Sequence, residues 1–471
     1  MITNLLYKNE HFHILKKAGE LADEMNISAY LVGGYVRDLL LGNNLIDIDI
    51  MVDGKAIDYS KRLSKKLNVN KTVLFEKFLT ARIPYKECEI EISNARKEEY
   101  DKKSRKPSKV MKTSIEEDII RRDFTINTLA VSINKKNFGE LIDLFNGIND
   151  LNAGIIKTPT DPDVTFKDDP LRMLRAVRFA AQLEFEIEPV IAESIKKNRD
   201  RLKIVSQERI TAEILKILKC NKPSIAFYLL KEYNFLGLIF PEMDVMSGID
   251  IINNMGHKDV FIHTLEVVDN SAKLSRKMEI RFAALVHDIA KPNTKRFNKV
   301  KGWTFHGHDE IGKRMLQKVA KRMKLSNDLR DYLMLLTKLH LRPIALAKKN
   351  ISDKAIRRLM FEAGEYIDDL MILCRADITT KNKTKVKKYL KNFDRVEKLM
   401  QDVKLRDEMR LFKSPLNGHM IMKTLEIKEG KIIGLIKDDI ENAILDEKID
   451  NTKEAAFEYM MSIKDSYLKT I

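Results

Sequence analysis

The sequence predicts an α/β head, a small mixed sheet with helices, followed by an elongated all-α body. Three observations lead there. Over about the first 150 residues, short β-branched runs alternate with helical segments and glycine turns. Beyond about residue 160, helical periodicity is nearly continuous, with few glycines and prolines. The length, 471 residues, suggests three or so domains at about 100–200 residues each. Boundaries near Leu151, Met246 and Thr380 divide the chain into a head (1–150), a neck (151–245), a third segment (246–380) and a tail (381–471).

Composition excludes several classes. With 44% hydrophobic and 33% charged residues the chain has ample apolar side chains for sizeable cores, so it is not mainly disordered. Every apolar run breaks well short of the roughly 18 residues of a spanning helix, so no membrane partner is expected. Cys88, Cys220 and Cys374 are far apart and odd in number, and the N-terminal stretch has no secretory pattern. Both features suit a reducing cytoplasm. The net charge of +16 favours a polyanionic partner, with a lysine-rich solvated surface as the plainer alternative.

In the head, Ala29–Val32 reads as a strand, Gly33-Gly34 as a turn and Tyr35–Leu41 as a short helix closed by Gly42. Ile46–Val52 is a second strand, ending at the turn dipeptide Asp53-Gly54, and Glu87–Ile92 alternates charged and apolar residues like a third. In the second strand Asp47 and Asp49 share a face, while Ile46, Ile48 and Ile50 share the other. Two adjacent carboxylates repel, and a divalent ion removes that penalty; Mg²⁺ favours a few carboxylates plus phosphate oxygens. Gly33 and Gly34 let backbone approach phosphates at a helix N-terminus, with Arg37 on that helix. Glu87, Glu89 and Glu91 would all share one face of the third strand.

Further along, RRDFTINTLA (121–130) precedes DDPLRMLRAVRFAAQL (168–183). Pro170 suits the first position of a helix with Asp169 as its N-cap. Asp169, Arg172, Arg175 and Arg178 recur every three residues, opposite Leu171, Leu174, Val177 and Ala181. A carboxylate accepts from an exocyclic amine and arginine donates to ring nitrogen or carbonyl acceptors. Cytosine and adenine offer an amine beside an acceptor; uracil and guanine place a carbonyl where that amine would be. An Asp–Arg pair can therefore admit C and A and refuse U and G without a template. Taken by itself the stripe also reads as a cap and solvated arginines.

Six of the nine histidines (His257, His263, His287, His306, His308, His340) lie within residues 257–340, where an even spread would put fewer than two. With Asp288 and Asp377 they run in the order H…HD…H…H…D, and imidazoles with carboxylates suit Mn²⁺, Fe²⁺, Ni²⁺ or Zn²⁺ better than Mg²⁺. Residues 380–391 carry six lysines beside Tyr389, either a phosphate grip or a solvated helix face.

The combination GG-x-x-RD followed by DxD is the nucleotidyltransferase signature, and its extended form resembles the class II tRNA nucleotidyltransferases and bacterial poly(A) polymerases. The stretches 121–130 and 168–183 are similar to the same family, and the histidine order resembles the HD-domain metal phosphohydrolases. The resemblance implies a nucleotidyltransferase head and a helical body that includes an HD domain. It implies Asp47, Asp49 and Glu91 as catalytic metal-holding carboxylates; the family pattern selects Glu91, although Ser93-Asn94-Ala95 departs from it. It implies nucleotide binding by Gly33, Gly34, Arg37, Arg122, Asp123, Asp169, Arg172, Arg175 and Arg178. His263, His287, Asp288 and Asp377 would be core HD ligands, with His308 and His340 as extra ligands of a binuclear site. Implied cofactors are Mg²⁺ in the head and Ni²⁺ or Mn²⁺ at the HD site; implied partners are tRNA, CTP and ATP, with no obligate protein partner. The implied activity is untemplated addition of C, C and A to tRNA, with a secondary HD phosphohydrolase activity. Poly(A) polymerase, or an HD phosphohydrolase acting on RNA ends, stays open as the alternative. The basic stretch 102–112 corresponds to a flexible loop of the family, one that members lacking the final A-step tend to have lost.

Overall fold

The computed structural model describes residues 2–43, 45, 47–76, 79–100, 107–253, 255–347, 352–411, 414–445 and 448–468. The head strands are β1 (Ser28–Val32), β2 (Ile48–Asp53), β3 (Val73–Phe75), β4 (Thr80–Tyr85), β5 (Cys88–Asn94), β6 (Arg96–Tyr100), β7 (Pro107–Lys112), β8 (Ala130–Ser132) and β9 (Leu141–Ile142). Seven of them form one sheet in the order β3-β4-β5-β2-β1-β8-β9. Its β2–β5 pair is parallel and its other pairs are antiparallel. The sheet holds because alternate positions are apolar: Ile48, Ile50 and Val52 of β2 and Ile90 and Ile92 of β5 are all buried. Helices Phe12–Glu24 and Ala56–Lys66 pack together, and the Tyr59 hydroxyl donates to the Ala18 carbonyl at 2.7 Å.

Several expectations shift. Strand β2 begins at Ile48, so Asp47 stands just before it; Ile46 lies outside the described residues. The helix after the glycine turn starts at Gly34 and ends, as its sequence implies, on Gly42 at φ +69°. Strand β5 starts at Cys88, which leaves Glu87 in the tight β4–β5 turn and off the shared face. The basic stretch is not wholly loop: Pro107–Lys112 is a strand paired antiparallel with Arg96–Tyr100, and 101–106 lies outside the described residues. Its alternation of small, basic and apolar residues is compatible with a ribbon as well as with a loop. Helix Leu171–Leu183 begins one residue later than expected, with Pro170 as the flanking residue.

After the head the chain is helical, with three small departures that periodicity missed: Ile155–Ile156 pairs in parallel with Glu186–Ile187, Ile251–Ile252 pairs antiparallel with Met255–Gly256, and strands Arg296–Asn298 and Gly302–Thr304 form an antiparallel hairpin. Two compact units result, residues 1–344 with 365–387, and residues 345–364 with 388–471. The second unit has its own apolar core of Leu416, Ile421, Ile433, Ile436, Ile440, Ala456 and Met460. Among the described residues no helix is long and apolar enough to cross a membrane.

Candidate active site and metal centre

The glycine turn fixes one wall of the head cavity. Gly33 adopts φ +66° and ψ −129°, a region closed to residues with a side chain, and a Cβ there would sit 2.8 Å from Arg122 Nη1. The helix it opens, Gly34–Leu41, turns its first N–H groups and Arg37 to the same place. Arg37 is buried, held by a two-point bond to Asp38 at 3.0 and 2.7 Å and by Asn127 at 2.8 Å.

The opposing carboxylates come from the parallel pair, where Asp49 is directly in register with Glu91. Glu91 lies 3.3 Å from Arg82, which also reaches Glu89 at 3.5 Å. Asp47 is exposed and accepts from the Glu89 N–H at 3.3 Å. Burial, then the charge of Glu91, push the Asp49 carboxyl up to about 6, with Asp47 adding to the same effect against Arg122 and Arg37. That crowding of negative charge is what a divalent cation relieves, so the donor set fits one.

Asp49, Glu91, Gly33 and Gly34 line a cavity of about 700 Å³ whose remaining wall is strongly basic. It contains Arg121, Arg122, Arg172, Arg175, Arg178 and Arg209. Three guanidinium carbons, of Arg37, Arg175 and Arg178, lie 5.0, 5.3 and 4.0 Å from the Phe179 ring centre, whose negative face offsets their mutual repulsion. Asp123 is buried below them; burial pushes its carboxyl up, but Arg175 at 2.6 Å, Asn127 and Arg172 outweigh it and hold it at about 2. Arg122 pairs with Asp118 at 3.2 Å.

Asp169 stands one residue before the flanking Pro170 of the arginine helix, accepts from the Leu171 N–H at 3.1 Å much as a cap would, and is also clamped by Arg209 at 2.7 Å. Arg172 donates to the Arg121 carbonyl at 2.5 Å. Sequence reasoning missed the helix that supplies this clamp, Gln207–Leu218. Its Arg209, Glu213 and Lys216 face the same region, with Glu213 buried against Arg178 at 2.7 Å and bonded by Lys216 at 3.2 Å. The spacing i, i+4, i+7 of those charges was the available signal.

The second site is built from helix ends. His263 lies in the first turn of Val260–Leu274, His287-Asp288 follows Met278–Val286, and His308 opens His308–Met323. His340 and Asp377 follow Asn327–Leu339 and Ile367–Ala376. The last carbonyls of a helix lack intrahelical partners, and the histidines use them: His287 Nδ1 bonds the Ala284 carbonyl at 2.8 Å and His340 Nδ1 that of Thr337 at 2.7 Å. His308 Nδ1 bonds the Phe305 carbonyl at 2.7 Å. A carbonyl only accepts, so each Nδ1 carries its proton and each Nε2 presents a lone pair inward. Asp288 stands between two groups: Oδ2 is 3.2 Å from His287 and 3.5 Å from His263, and Oδ1 is 3.3 Å from His308 and 3.8 Å from His340. Asp377 is 3.0 Å from His263.

Those donors form two triads, His263–His287–Asp288 and Asp288–His308–His340, each within 4.8 Å. Among the described residues the head carboxylates form no such group. His287 Nε2 and Asp288 Oδ1 are buried without a well-directed hydrogen bond among the described residues, which a metal ion would satisfy. His263 is pushed up to about 9: burial lowers it, but Asp288 and Asp377 outweigh burial. His340 is pushed down to about 4 by burial, then by His287. His257 and His306 are not among the donors of this centre.

Three family models match in chain order: the Poly A polymerase head domain over 29–157, a probable RNA and SrmB-binding site of polymerase A over 184–246, and the HD domain over 260–382. A multifunctional CCA protein of Shewanella frigidimarina is 31% identical over 363 residues, covering 74% of this chain and 83% of that protein. The chain belongs to the class II CCA-adding nucleotidyltransferase and poly(A) polymerase family. An A-adding tRNA nucleotidyltransferase of Aquifex aeolicus is 38% identical over 212 residues, 45% of this chain and 25% of the relative. Among solved structures, a CCA-adding enzyme in an apo form shares the fold (TM-score 0.59, 23% identity, 98% of each chain). A tRNA nucleotidyltransferase complexed with a primer tRNA and an incoming ATP analog matches at 26% identity and TM-score 0.58, over 81% of this chain and 99% of that one. Nucleotidyltransferase heads and HD domains generally use divalent metals, in keeping with both donor sets of this family member.

Proposed function

We propose that this enzyme adds C, C and A to the 3′ end of tRNA from CTP and ATP, without a nucleic-acid template. The observation that carries this is the cavity between the Asp49–Glu91 pair and the Asp169–Arg178 stripe, sized for one nucleotide and basic on one side. The tRNA 3′-hydroxyl oxygen attacks the α-phosphorus; a P–O bond forms there, the bond to the β-phosphate oxygen breaks, pyrophosphate leaves and the hydroxyl proton goes to water. Mg²⁺ held by Asp47, Asp49 and Glu91 would supply activation of the nucleophile and neutralise the leaving oxygens. Arg122, Arg175 and Arg178, with the N–H groups after Gly33, hold and orient the triphosphate. Asp123 keeps Arg175 aimed at it. Asp169 accepts the exocyclic amine and Arg172 donates to the neighbouring acceptor, so C and A fit and U and G do not. Arg209 keeps Asp169 in place.

Complete C, C and A addition, rather than a partial step, is supported by likeness to a multifunctional CCA protein over 83% of its length and by the retained basic segment ending at Lys112. The test is direct. Offer tRNA lacking all three terminal nucleotides, lacking only the last, or complete, with each labelled NTP, and read product lengths. Stalling after the second C refutes complete synthesis; long A tails on any RNA would make it a poly(A) polymerase.

The HD centre supports a second activity, hydrolysis of phosphoesters at RNA ends. His263, His287, Asp288 and Asp377 would hold one ion and Asp288, His308 and His340 a second. Imidazole-rich donors favour Ni²⁺ or Mn²⁺ over Mg²⁺. Bound there, such ions would lower the pKa of water towards neutrality. Lys291, ion-paired to Asp288, would hold a phosphate oxygen. Absence of phosphodiester hydrolysis under Ni²⁺, Mn²⁺, Fe²⁺ and Zn²⁺ would refute it.

A further inference from the structure

Beside the HD centre, a hairpin carries side chains that neither reaction uses. Its strands pair Phe297 opposite Trp303, and both of its ends are tied to the centre. On one side Lys291 pairs with Asp288; on the other the Phe305 carbonyl holds His308. From that rim a run of rings leads outward. Phe305 is 5.9 Å from His257, His257 is 5.4 Å from Trp303, and Trp303 is 5.3 Å from Phe297. Cations lie over the rings: Lys291 is 5.7 Å from the Phe305 centroid and Lys295 is 5.4 Å from that of Trp303. His257 is fixed through the Lys258 carbonyl at 2.7 Å and the Asp250 N–H at 3.1 Å.

Charge agrees with the rings. Residues 291–301 hold Lys291, Lys295, Arg296, Lys299 and Lys301 and no acidic residue. A cationic track beside half-exposed aromatic faces is the chemistry that binds single strands, whose bases stack while their phosphates pair with lysine. A duplex keeps its base faces stacked internally and cannot use the rings. Lys291 and Lys295 are ion-paired with Asp288 and Asp250, and the segment still keeps a net positive charge, which a protein partner would be expected to match less well than apolar surface.

We propose that this hairpin is a single-stranded RNA platform: bases stack on Trp303 and Phe297, and Lys295 and Lys291 lead the backbone towards the HD metal centre. The direction of the strand rests on the hydrolytic reading above; the binding does not.

Trp303 is the only tryptophan of the chain, so its emission reports on this platform alone. Titrate the full-length protein, in EDTA, with a six-nucleotide oligocytidylate, exciting at the red edge of the indole band. Saturable quenching is expected, with inorganic polyphosphate and a short RNA duplex at least about tenfold weaker. Lys295→Gln and Phe297→Leu should each weaken binding about five- to a hundredfold, the range one stacked base contributes. No change in emission, equal quenching by polyphosphate or duplex, or unaltered affinity in both variants would overturn the platform. Because no metal is present, these results stand whether or not the HD centre hydrolyses anything. Quenching without any metal-dependent hydrolysis would refute the hydrolytic reading and keep the platform.

Discussion

The head and the HD centre gather their acidic groups in opposite ways. In the head, Asp47 is exposed, Asp49 and Glu91 sit on neighbouring strands with Glu91 braced by Arg82, and no tight donor cluster exists among the described residues. In the HD centre, His287, Asp288 and His340 are 1, 1 and 2% exposed and two donor triads are already assembled. The difference follows from what completes each site. Hard oxygen donors at the mouth of an open cavity leave most of an ion's shell to substrate phosphates, so the metal is expected to come and go with the nucleotide. Imidazoles whose tautomers are locked by helix-end carbonyls are expected to form a resident site, because burying them without a cation would leave polar atoms unsatisfied.

The largest test is Asp49→Ala. Losing this ligand should lower nucleotide addition more than about a thousandfold, several kcal/mol at the transition state, while leaving HD hydrolysis intact. If both activities fell together, the two regions would be one coupled device and the contrast would be wrong. Next comes metal retention. After gel filtration in a weak chelator, the wild-type chain should keep transition metal by elemental analysis, and H287A/D288A should not. Nucleotide addition by both proteins should return on adding Mg²⁺ alone. Metal lost from the wild type as readily as from the double variant would remove the distinction.

Much of the head was legible from sequence, because its chemistry is local. The glycine turn needs φ values only glycine tolerates, and the Asp-x-Asp spacing reports a strand face even though Asp47 falls one position outside the strand. The HD histidines were legible as a set, since their order is itself informative. What their order could not disclose is that Asp288 stands between both triads, a consequence of five helix ends meeting in space. Arg209 and Glu213 were hidden for a related reason. Helical spacing shows that a face is charged; only the tertiary fold shows that this face looks onto Asp169 and Arg178. The hairpin at 296–304 was lost because two three-residue strands give too little alternation to stand out among helices.

Inside the head, the arginine wall owes its order to buried Asp123, and acid should expose that debt. Its carboxyl is held at about 2 in the fold against an ordinary value of 3.8. Unfolded chains therefore bind its proton first as pH falls. The stabilisation, roughly 2–3 kcal/mol at 1.36 kcal/mol per unit, is complete above about pH 4 and gone once pH drops through about 2. In chemical denaturation, Asp123→Asn should lose most of this at pH 7 and converge on wild type at low pH. A constant difference across pH would mean that packing, not charge, is what Asp123 supplies.

The smallest effect separates a base reader from a helix cap. Asp169 serves the Leu171 N–H as a cap would, and Asn caps as well as Asp. If capping were its whole role, Asp169→Asn should retain full preference for CTP and ATP. If its charge receives the base amine, the variant should admit UTP or GTP, with about 1–3 kcal/mol of discrimination lost per contact, and Arg172→Ala should do the same. Arg209→Lys sharpens the distinction further. It keeps the positive charge but loses the fork that fixes both Asp169 oxygens, so discrimination should fall by about fivefold with stability almost unchanged. Relative kcat/KM values for the four nucleotides, measured on one tRNA, decide among these outcomes. A preference untouched in all three variants would return selection to the shape of the cavity and leave the Asp169–Arg209 clamp a structural pair.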